Sequence, residues 1–238
     1  MGPRKADFPF YNGSPVPLSA KGCLWVLVAC ASGFSALLAA PHLVQGATGS
    51  WIGITLFVAL QLLGLRMAVG SAWTAIFHRP TWREVLLAIA CVPVVFGMPV
   101  LVALFVVGSQ HLTPNQMVQA TGHLSPVQAL GFFSMSAVQL LGEELVTLLP
   151  FLVLLTALRR TTMKPWVALC LTWFATSLMF GALHLPTYGW NFAQALLVIG
   201  TARLVLTGVY VLTKNVWAST ITHIGNDWML FTIAMLTL

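Results

Sequence analysis

Two adjacent carboxylates lie inside an apolar run of the sequence. They are Glu143 and Glu144 in LGEELVTLLPF, residues 141–151, and the whole chain has only five acidic side chains. An ionised side chain at the centre of a bilayer costs on the order of 2.5–3.5 kcal/mol, so an acid inside a spanning helix is a candidate functional residue. A glutamate near a histidine can activate water as a general base. The alternative is a purely structural polar contact between two helices.

Two histidines in later apolar segments could act with these acids. His184 ends the stretch FGALH, in which Phe180 lies one turn earlier on the same helix face. His223 and Asp227 lie four residues apart in HIGND and also share a face. One histidine could help a glutamate to activate water, and the other could hydrogen-bond a developing oxyanion. A lone intramembrane histidine is more often a packing residue, but two histidines and a glutamate pair favour catalysis.

Membrane-spanning helices must position these residues. The chain is 58% hydrophobic and 7% charged, whereas about a quarter of the residues in a soluble domain are charged. Several apolar runs reach roughly 20 residues, the length that crosses a bilayer core. We therefore predict an all-α, polytopic transmembrane bundle. It has about seven spanning segments, near 22–46, 51–70, 85–108, 127–158, 166–185, 192–212 and 217–238.

The chain divides by composition into three parts. Residues 1–21 form a polar N-terminal segment, 22–126 form the first transmembrane helices, and 127–238 form the core that carries the candidate site residues. The first part is interrupted by four prolines and has no apolar stretch typical of a cleaved signal peptide. We therefore expect no cleaved leader.

Lysine and arginine lie in alternate connections between the predicted spans. These residues are Arg4, Lys5, Lys21, Arg79, Arg83, Arg159, Arg160, Lys164 and Lys214. The connections near 47–50, 109–126 and 186–191 have neither residue, so the positive-inside rule places the N-terminus in the cytoplasm and the C-terminus outside. Topology explains the net charge of +6, and we expect the bilayer, not nucleic acid, as partner. A bacterial plasma membrane is the favoured location.

No metal centre is predicted from the cysteines. The four cysteines have no CxxC spacing and are interpreted as small apolar side chains: Cys23, Cys30, Cys91 and Cys170. We therefore expect no cofactor and no metal ligand.

Three motifs, in order on successive predicted helices, resemble a known family. Glu143-Glu144, Phe180-xxx-His184 and His223-xxx-Asp227 resemble the motifs of the CPBP family of CAAX proteases and bacteriocin-processing enzymes. This family, also called Abi, includes the type II CAAX prenyl endopeptidases. The stretch 208–227 is similar to the family's last motif region, and the resemblance covers about 127–230. It implies a helical, intramembrane, glutamate-dependent endopeptidase that acts on a membrane-associated peptide or protein.

The resemblance implies a role for each matching residue. Glu143 corresponds to the catalytic glutamate, which activates water with His184, and Glu144 to its supporting neighbour. His223 and the residue at position 227 correspond to the pair that stabilises the oxyanion. An ionised aspartate cannot donate a hydrogen bond, so we expect Asp227 to fix the tautomer of His223.

Other polar or aromatic residues could contact the substrate. The candidate substrate-binding residues are Phe180, Asn226 and Arg203. Asn226 is the alternative donor to the oxyanion, because its amide has two N–H groups.

The sequence departs from the family pattern at one position. The family's first motif has arginine four residues after the second glutamate, and this chain has Leu148 there. Arg203, in the sixth predicted span, is the candidate replacement. We predict that it neutralises Glu144 or Glu143. The alternative is that its side chain snorkels along the helix toward water.

Competing functions stay open beside the endopeptidase. The missing arginine supports a non-catalytic family member, acting as a bacteriocin-immunity or regulatory membrane scaffold. A metal-dependent hydrolase could use two histidines and a glutamate to bind zinc, although the chain has no HExxH motif. A proton or ion transporter would place carboxylates along a path, but the sequence has no repeated halves. The substrate and the oligomeric state are not determined.

Overall fold

The computed structural model describes residues 7–237, which are mainly helical and contain no β-strand. This confirms the predicted all-α class. The eight α-helices are α1 (Ala20–Leu43), α2 (Gly46–Val69), α3 (Trp82–Val102), α4 (Gln116–Thr121), α5 (Pro126–Arg159), α6 (Pro165–Leu183), α7 (Gly200–Thr213) and α8 (Val216–Thr237). Two π-helical segments, Ala103–Val107 and Gln194–Ile199, extend α3 at its end and α7 at its start.

Six helical stretches of the described chain are long and apolar enough to cross a membrane. They are Ala20–Leu43, Gly46–Ile76, Trp82–Val107, Pro126–Arg159, Pro165–Leu183 and Gln194–Thr213. The chain is therefore a multi-pass membrane protein. Six of the seven predicted spans correspond to these stretches. The seventh, near 217–238, forms α8, which is not among the six.

Helix α8 differs from the other six in composition rather than in length. Its 22 residues extend for about 33 Å, enough to cross a hydrocarbon core. Its polar side chains are partly buried against other helices. Thr222 Oγ1 donates to the Ala88 carbonyl at 3.1 Å, and Trp228 Nε1 donates to Ser136 Oγ at 3.0 Å. Polar side chains lower the mean hydropathy of a helix. Where they bond to other helices of the protein, they do so without facing the lipid themselves. For this reason α8 is less apolar than the six other long helical stretches, although it is long enough to cross a membrane.

The described chain forms two compact units. The first comprises the described residues of Met1–Arg79, Val138–Thr172 and Leu212–Trp217. The second comprises Pro80–Ala137 and Trp173–Val211 with the described part of Ala218–Leu238. Each unit is discontinuous in sequence.

The first unit is built on a hairpin of α1 and α2, which pack along each other. Helix α2 also packs closely on α5. A Cβ atom on Gly142 would lie 2.4 Å from the ring of Phe57, so only glycine permits this approach. Gln61 Nε2 donates to the carbonyls of Phe57 and Gly142, at 2.9 and 3.1 Å. A buried amide thus fixes α5 one residue before the glutamate pair.

The second unit joins α6 to α7 by a similar close approach. A Cβ atom on Gly181 would lie 2.4 Å from the Ala195 carbonyl oxygen, in the π-helical segment before α7. Trp173 Nε1 donates to the Leu204 carbonyl at 2.9 Å. These contacts set the position of the last turn of α6, which ends one residue before His184.

Proline lies inside two of the spanning helices. Helix α3 continues through Pro93 and Pro99 and then widens into the π-helical segment Ala103–Val107. Helix α5 continues through Pro150. Proline cannot donate to the carbonyl one turn earlier, so the backbone ladder of α3 loses one bond at each of its two prolines.

The predicted cationic residues lie near helix ends. Lys21 is in the first turn of α1, Arg159 ends α5, and Lys214 lies between α7 and α8. Arg4 and Lys5 lie outside the described residues. The cytoplasmic N-terminus stays a prediction.

We expect α8 to cross the membrane, because its length suffices and several of its polar groups bond inside the protein. Tags at the N- and C-termini should then lie on opposite sides of the bilayer. The measurement is the digestion of each tag by protease added to the outside of spheroplasts. The C-terminal tag should be cut and the N-terminal tag protected. Protection of both tags would show that α8 does not cross.

Candidate functional site

The predicted acids lie together in the first unit, near the middle of α5. Glu144 is completely buried, whereas Glu143 is partly exposed. Gln139, one turn earlier, donates its amide N–H to Glu143 Oε1 at 2.9 Å. This bond orients the carboxylate. Glu143 is therefore the more accessible of the two acids and is held in a defined rotamer.

The backbone beside the acids is also fixed by hydrogen bonds. The Gly142 carbonyl accepts from Gln61, and the Glu143 carbonyl accepts from Thr147 Oγ1 at 3.1 Å. Neither Gln61 nor Gln139 was among the predicted site residues. The sequence held a signal for each, since Gln139 is four residues before Glu143 and Gln61 is a lone amide in an apolar run.

A buried phenylalanine ring joins the predicted residues of the second unit. The ring centroid of Phe180 lies 4.5 Å from that of His184 and 6.3 Å from that of His223. The guanidinium carbon of Arg203 lies 5.1 Å from the same centroid. Side chains from α7, α8 and the end of α6 therefore meet at one ring. The i, i+4 spacing predicts only the contact between Phe180 and His184.

The tautomer of His184 follows from a hydrogen bond between its ring and the backbone. Its Nδ1 lies 2.9 Å from the Phe180 carbonyl oxygen. A carbonyl oxygen only accepts, so Nδ1 carries the hydrogen. In the neutral ring Nε2 then has a lone pair. His184 is thus arranged to accept a proton, or a hydrogen bond from water, at Nε2.

His223 and Asp227 lie close together on α8. Nε2 of His223 is 3.9 Å from Asp227 Oδ1, an ion-pair distance that is longer than a hydrogen bond. Asn226 Nδ2 donates to the same carboxylate oxygen at 2.9 Å. Asp227 therefore acts as a hydrogen-bond acceptor here.

Arg203 is fully buried, so its head group does not snorkel to an interface. Its Nε donates to Thr207 Oγ1 at 3.1 Å, one turn further along α7, and its guanidinium stacks on Phe180. The pairing of Arg203 with Glu143 or Glu144 stays a prediction. Leu148, at the position where the family motif has arginine, is also fully buried.

No group of three or more His, Cys, Asp or Glu within residues 7–237 is placed to hold a metal ion. The four cysteines are free thiols. In the second unit, the ring of His184 has a lone pair at Nε2, and the ring of His223 lies beside a carboxylate. In the first unit, Glu143 is more accessible than Glu144.

We expect Arg203→Leu to destabilise the protein by on the order of 1–3 kcal/mol, because it removes a buried hydrogen bond and a cation–π contact. The measurement is the midpoint of thermal unfolding in detergent. Arg203→Lys keeps the charge and should lose less. Thr207→Val serves as the matched control, since it removes only the acceptor of the Nε–H bond. Equal midpoints for wild type and Arg203→Leu would contradict a structural role for the guanidinium.

The chain matches no protein-family model, no curated protein and no solved structure.

Proposed function

We propose that this chain is an intramembrane endopeptidase, which hydrolyses a peptide bond with water activated by a glutamate and a histidine. The observation that carries this proposal is the geometry around Phe180. One histidine there offers a lone pair at Nε2, and Nε2 of the other lies 3.9 Å from a carboxylate oxygen. Acyl-group hydrolysis uses a group that accepts a proton or hydrogen bond and a group that donates to the oxyanion, and two imidazoles can supply both.

The proposed reaction assigns one role to each group. Glu143 takes a proton from water, whose oxygen attacks the peptide carbonyl carbon, and later gives that proton to the departing amine. His184 accepts a hydrogen bond from the water at Nε2. His223 donates a hydrogen bond from a ring N–H to the oxyanion, and Asp227, 3.9 Å from its Nε2, helps to fix the tautomer of that ring. Glu143 is included because of its motif and its hydrogen bond to Gln139.

Two half-buried polar side chains also support a catalytic purpose. Polar side chains in a spanning helix cost free energy unless they bond inside the protein. The first unit holds Glu143 with Gln139, and the second holds His184 against its own helix carbonyl. Each is thus oriented by a specific hydrogen bond, as a group that takes part in a reaction must be.

The proposed substrate is a membrane-associated peptide or protein, and the proposed location is a bacterial plasma membrane. Both follow from the resemblance to the CPBP family and from the multi-pass fold. Neither residue geometry nor charge selects a prenylated over an unmodified substrate.

One observation favours a second candidate, a non-catalytic scaffold of the same family. Leu148 occupies the position of the motif arginine and is fully buried, so the first motif is incomplete. A scaffold would bind its partner without changing any peptide bond.

We expect Glu143→Gln to abolish cleavage, because it keeps the shape of the side chain and removes the base. Cells that express wild type or the variant are compared by mass spectrometry of protein termini in the membrane and secreted fractions. Glu84→Gln is the matched control, since it makes the same change at the exposed start of α3. Termini shared by wild type and Glu84→Gln, but missing from Glu143→Gln, would identify the substrate. Identical termini in all three, at equal protein abundance, would favour the scaffold.

We expect His184→Gln to lower the cleavage rate by about 100-fold or more, the usual contribution of a group that assists proton transfer. Residues that act in one reaction are strongly non-additive. The double variant Glu143→Gln/His184→Gln should therefore be no slower than Glu143→Gln alone. The measurement is the cleavage rate of the identified substrate by purified protein, with and without a chelator. Full activity of His184→Gln would remove His184 from the mechanism, and loss of wild-type activity in chelator would favour a metal-dependent hydrolase.

A further inference from the structure

The segment before α1 is anchored to the first unit, although its composition is polar. Phe10 is fully buried, and Leu18 and Phe8 are buried to 1% and 8% exposure. We call residues 7–18 the N-terminal strap. A polar tail with no role in the fold would leave these apolar side chains in water, so the strap has a specific binding surface.

That surface includes a site for an aromatic ring. The ring of Phe8 lies 5.5 Å from that of Phe151 on α5, and the Lys214 ammonium lies 4.5 Å from the Phe8 ring centroid. Phe8 therefore contacts both an apolar floor and a cation, the two features that recognise an aromatic side chain. At the other end of the strap, the Arg160 guanidinium donates to the Leu18 carbonyl.

The strap is docked in a strained conformation. Phe10 has φ of +75°, in the left-handed region that bulky side chains rarely adopt. Its N–H donates to the Ser14 carbonyl at 2.6 Å, which closes a tight loop. Strain of this kind opposes docking and persists only while the surrounding contacts hold it. The affinity of the strap for the helices is therefore lower than the burial of its rings alone would produce.

The exposed side of the strap is held by its own polar groups. Asp7 accepts hydrogen bonds from the Tyr11 hydroxyl at 2.8 Å and from Asn12 Nδ2 at 3.0 Å. Desolvation and the neighbouring Asp7 carboxylate raise the pKa of the Tyr11 phenol, so Tyr11 stays a neutral donor. These bonds fold the strap on itself and do not tie it to the helices.

The floor of the site continues the acid-bearing face of α5. Phe151 lies seven residues after Glu144, two turns along the same face of the helix, and is fully buried. The strap thus covers one end of that face within the first unit.

We propose that the Phe8 site is a docking site for an extended peptide with an aromatic side chain, which the chain fills with its own strap. The docked strap excludes such a peptide from this end of the first unit, and its release admits one. This inference rests on the proposed function for its purpose, because the excluded peptide would be part of a substrate.

The first test measures binding and needs no catalysis. The probe is a fluorescent synthetic peptide of residues 7–19, added to the full-length protein in nanodiscs. Phe8→Ala/Phe10→Ala should bind it at least about tenfold more tightly than wild type, because burial of one phenylalanine side chain shifts an equilibrium by about that factor or more. Ser14→Ala, at an exposed strap position, is the control and should bind like wild type. Equal affinity for all three proteins, or equal binding of a peptide with both phenylalanines replaced by alanine, would overturn the proposal.

The second test measures cleavage. New protein termini should accumulate faster with Phe8→Ala/Phe10→Ala than with wild type or Ser14→Ala. If that variant does not fold, Phe8→Ala alone, which removes the ring that fills the site and leaves the site residues unchanged, replaces it in both tests. A cleavage rate that stays constant or falls while peptide binding rises would overturn the regulatory role. If no termini depend on Glu143, the proposed function fails, and the binding result still decides whether the docking site exists.

Discussion

Every polar group inside a spanning helix must find its hydrogen-bond partner within the protein, because the surrounding lipid offers none. This constraint determines much of the packing described above. Gln61 of α2 bonds to the backbone of α5, and Thr222 of α8 bonds to the backbone of α3. Each bond fixes one helix against another at a definite height. The polar positions therefore specify which helices are neighbours, while the apolar positions mostly face lipid or fill space.

The same constraint preorganises the proposed chemistry inside each unit. Glu143 is oriented by Gln139 in the first unit, and His184 is oriented by its own helix in the second. The Phe180 ring both packs against the histidines and attracts a cation. The negative face of its ring attracts the Arg203 cation, and its edges and faces contact both histidines. One apolar side chain thereby keeps three polar ones from moving independently.

Local patterns in the sequence were the reliable ones. Long apolar runs predicted the helical class, and spacings of four residues predicted that Phe180 lies beside His184 and that His223 lies beside Asp227. Contacts between distant segments were not predictable in the same way. Nothing in the spacing connects Arg203 to Phe180, or Gln61 to Gly142, because such contacts depend on how helices pack. Seven spans are predicted, but only six helices are apolar enough to cross a membrane, and α8 is not one of them. The sequence does not show which polar side chains of α8 are buried. The polar composition of the strap does not reveal its three buried apolar side chains, Phe8, Phe10 and Leu18.

The polar character of α8 has a consequence for biogenesis. An insertion machinery that sorts segments by their partitioning into lipid would retain α8 poorly, because its threonine, histidine, asparagine and aspartate side chains favour water. The backbone oxygen of Ala88 and the hydroxyl of Ser136 bond to α8 in the folded protein, and both precede it along the chain. Helix α8 would therefore enter the bilayer by docking onto helices that are already inserted. Its integration into the membrane and the folding of the second unit would then be a single cooperative event.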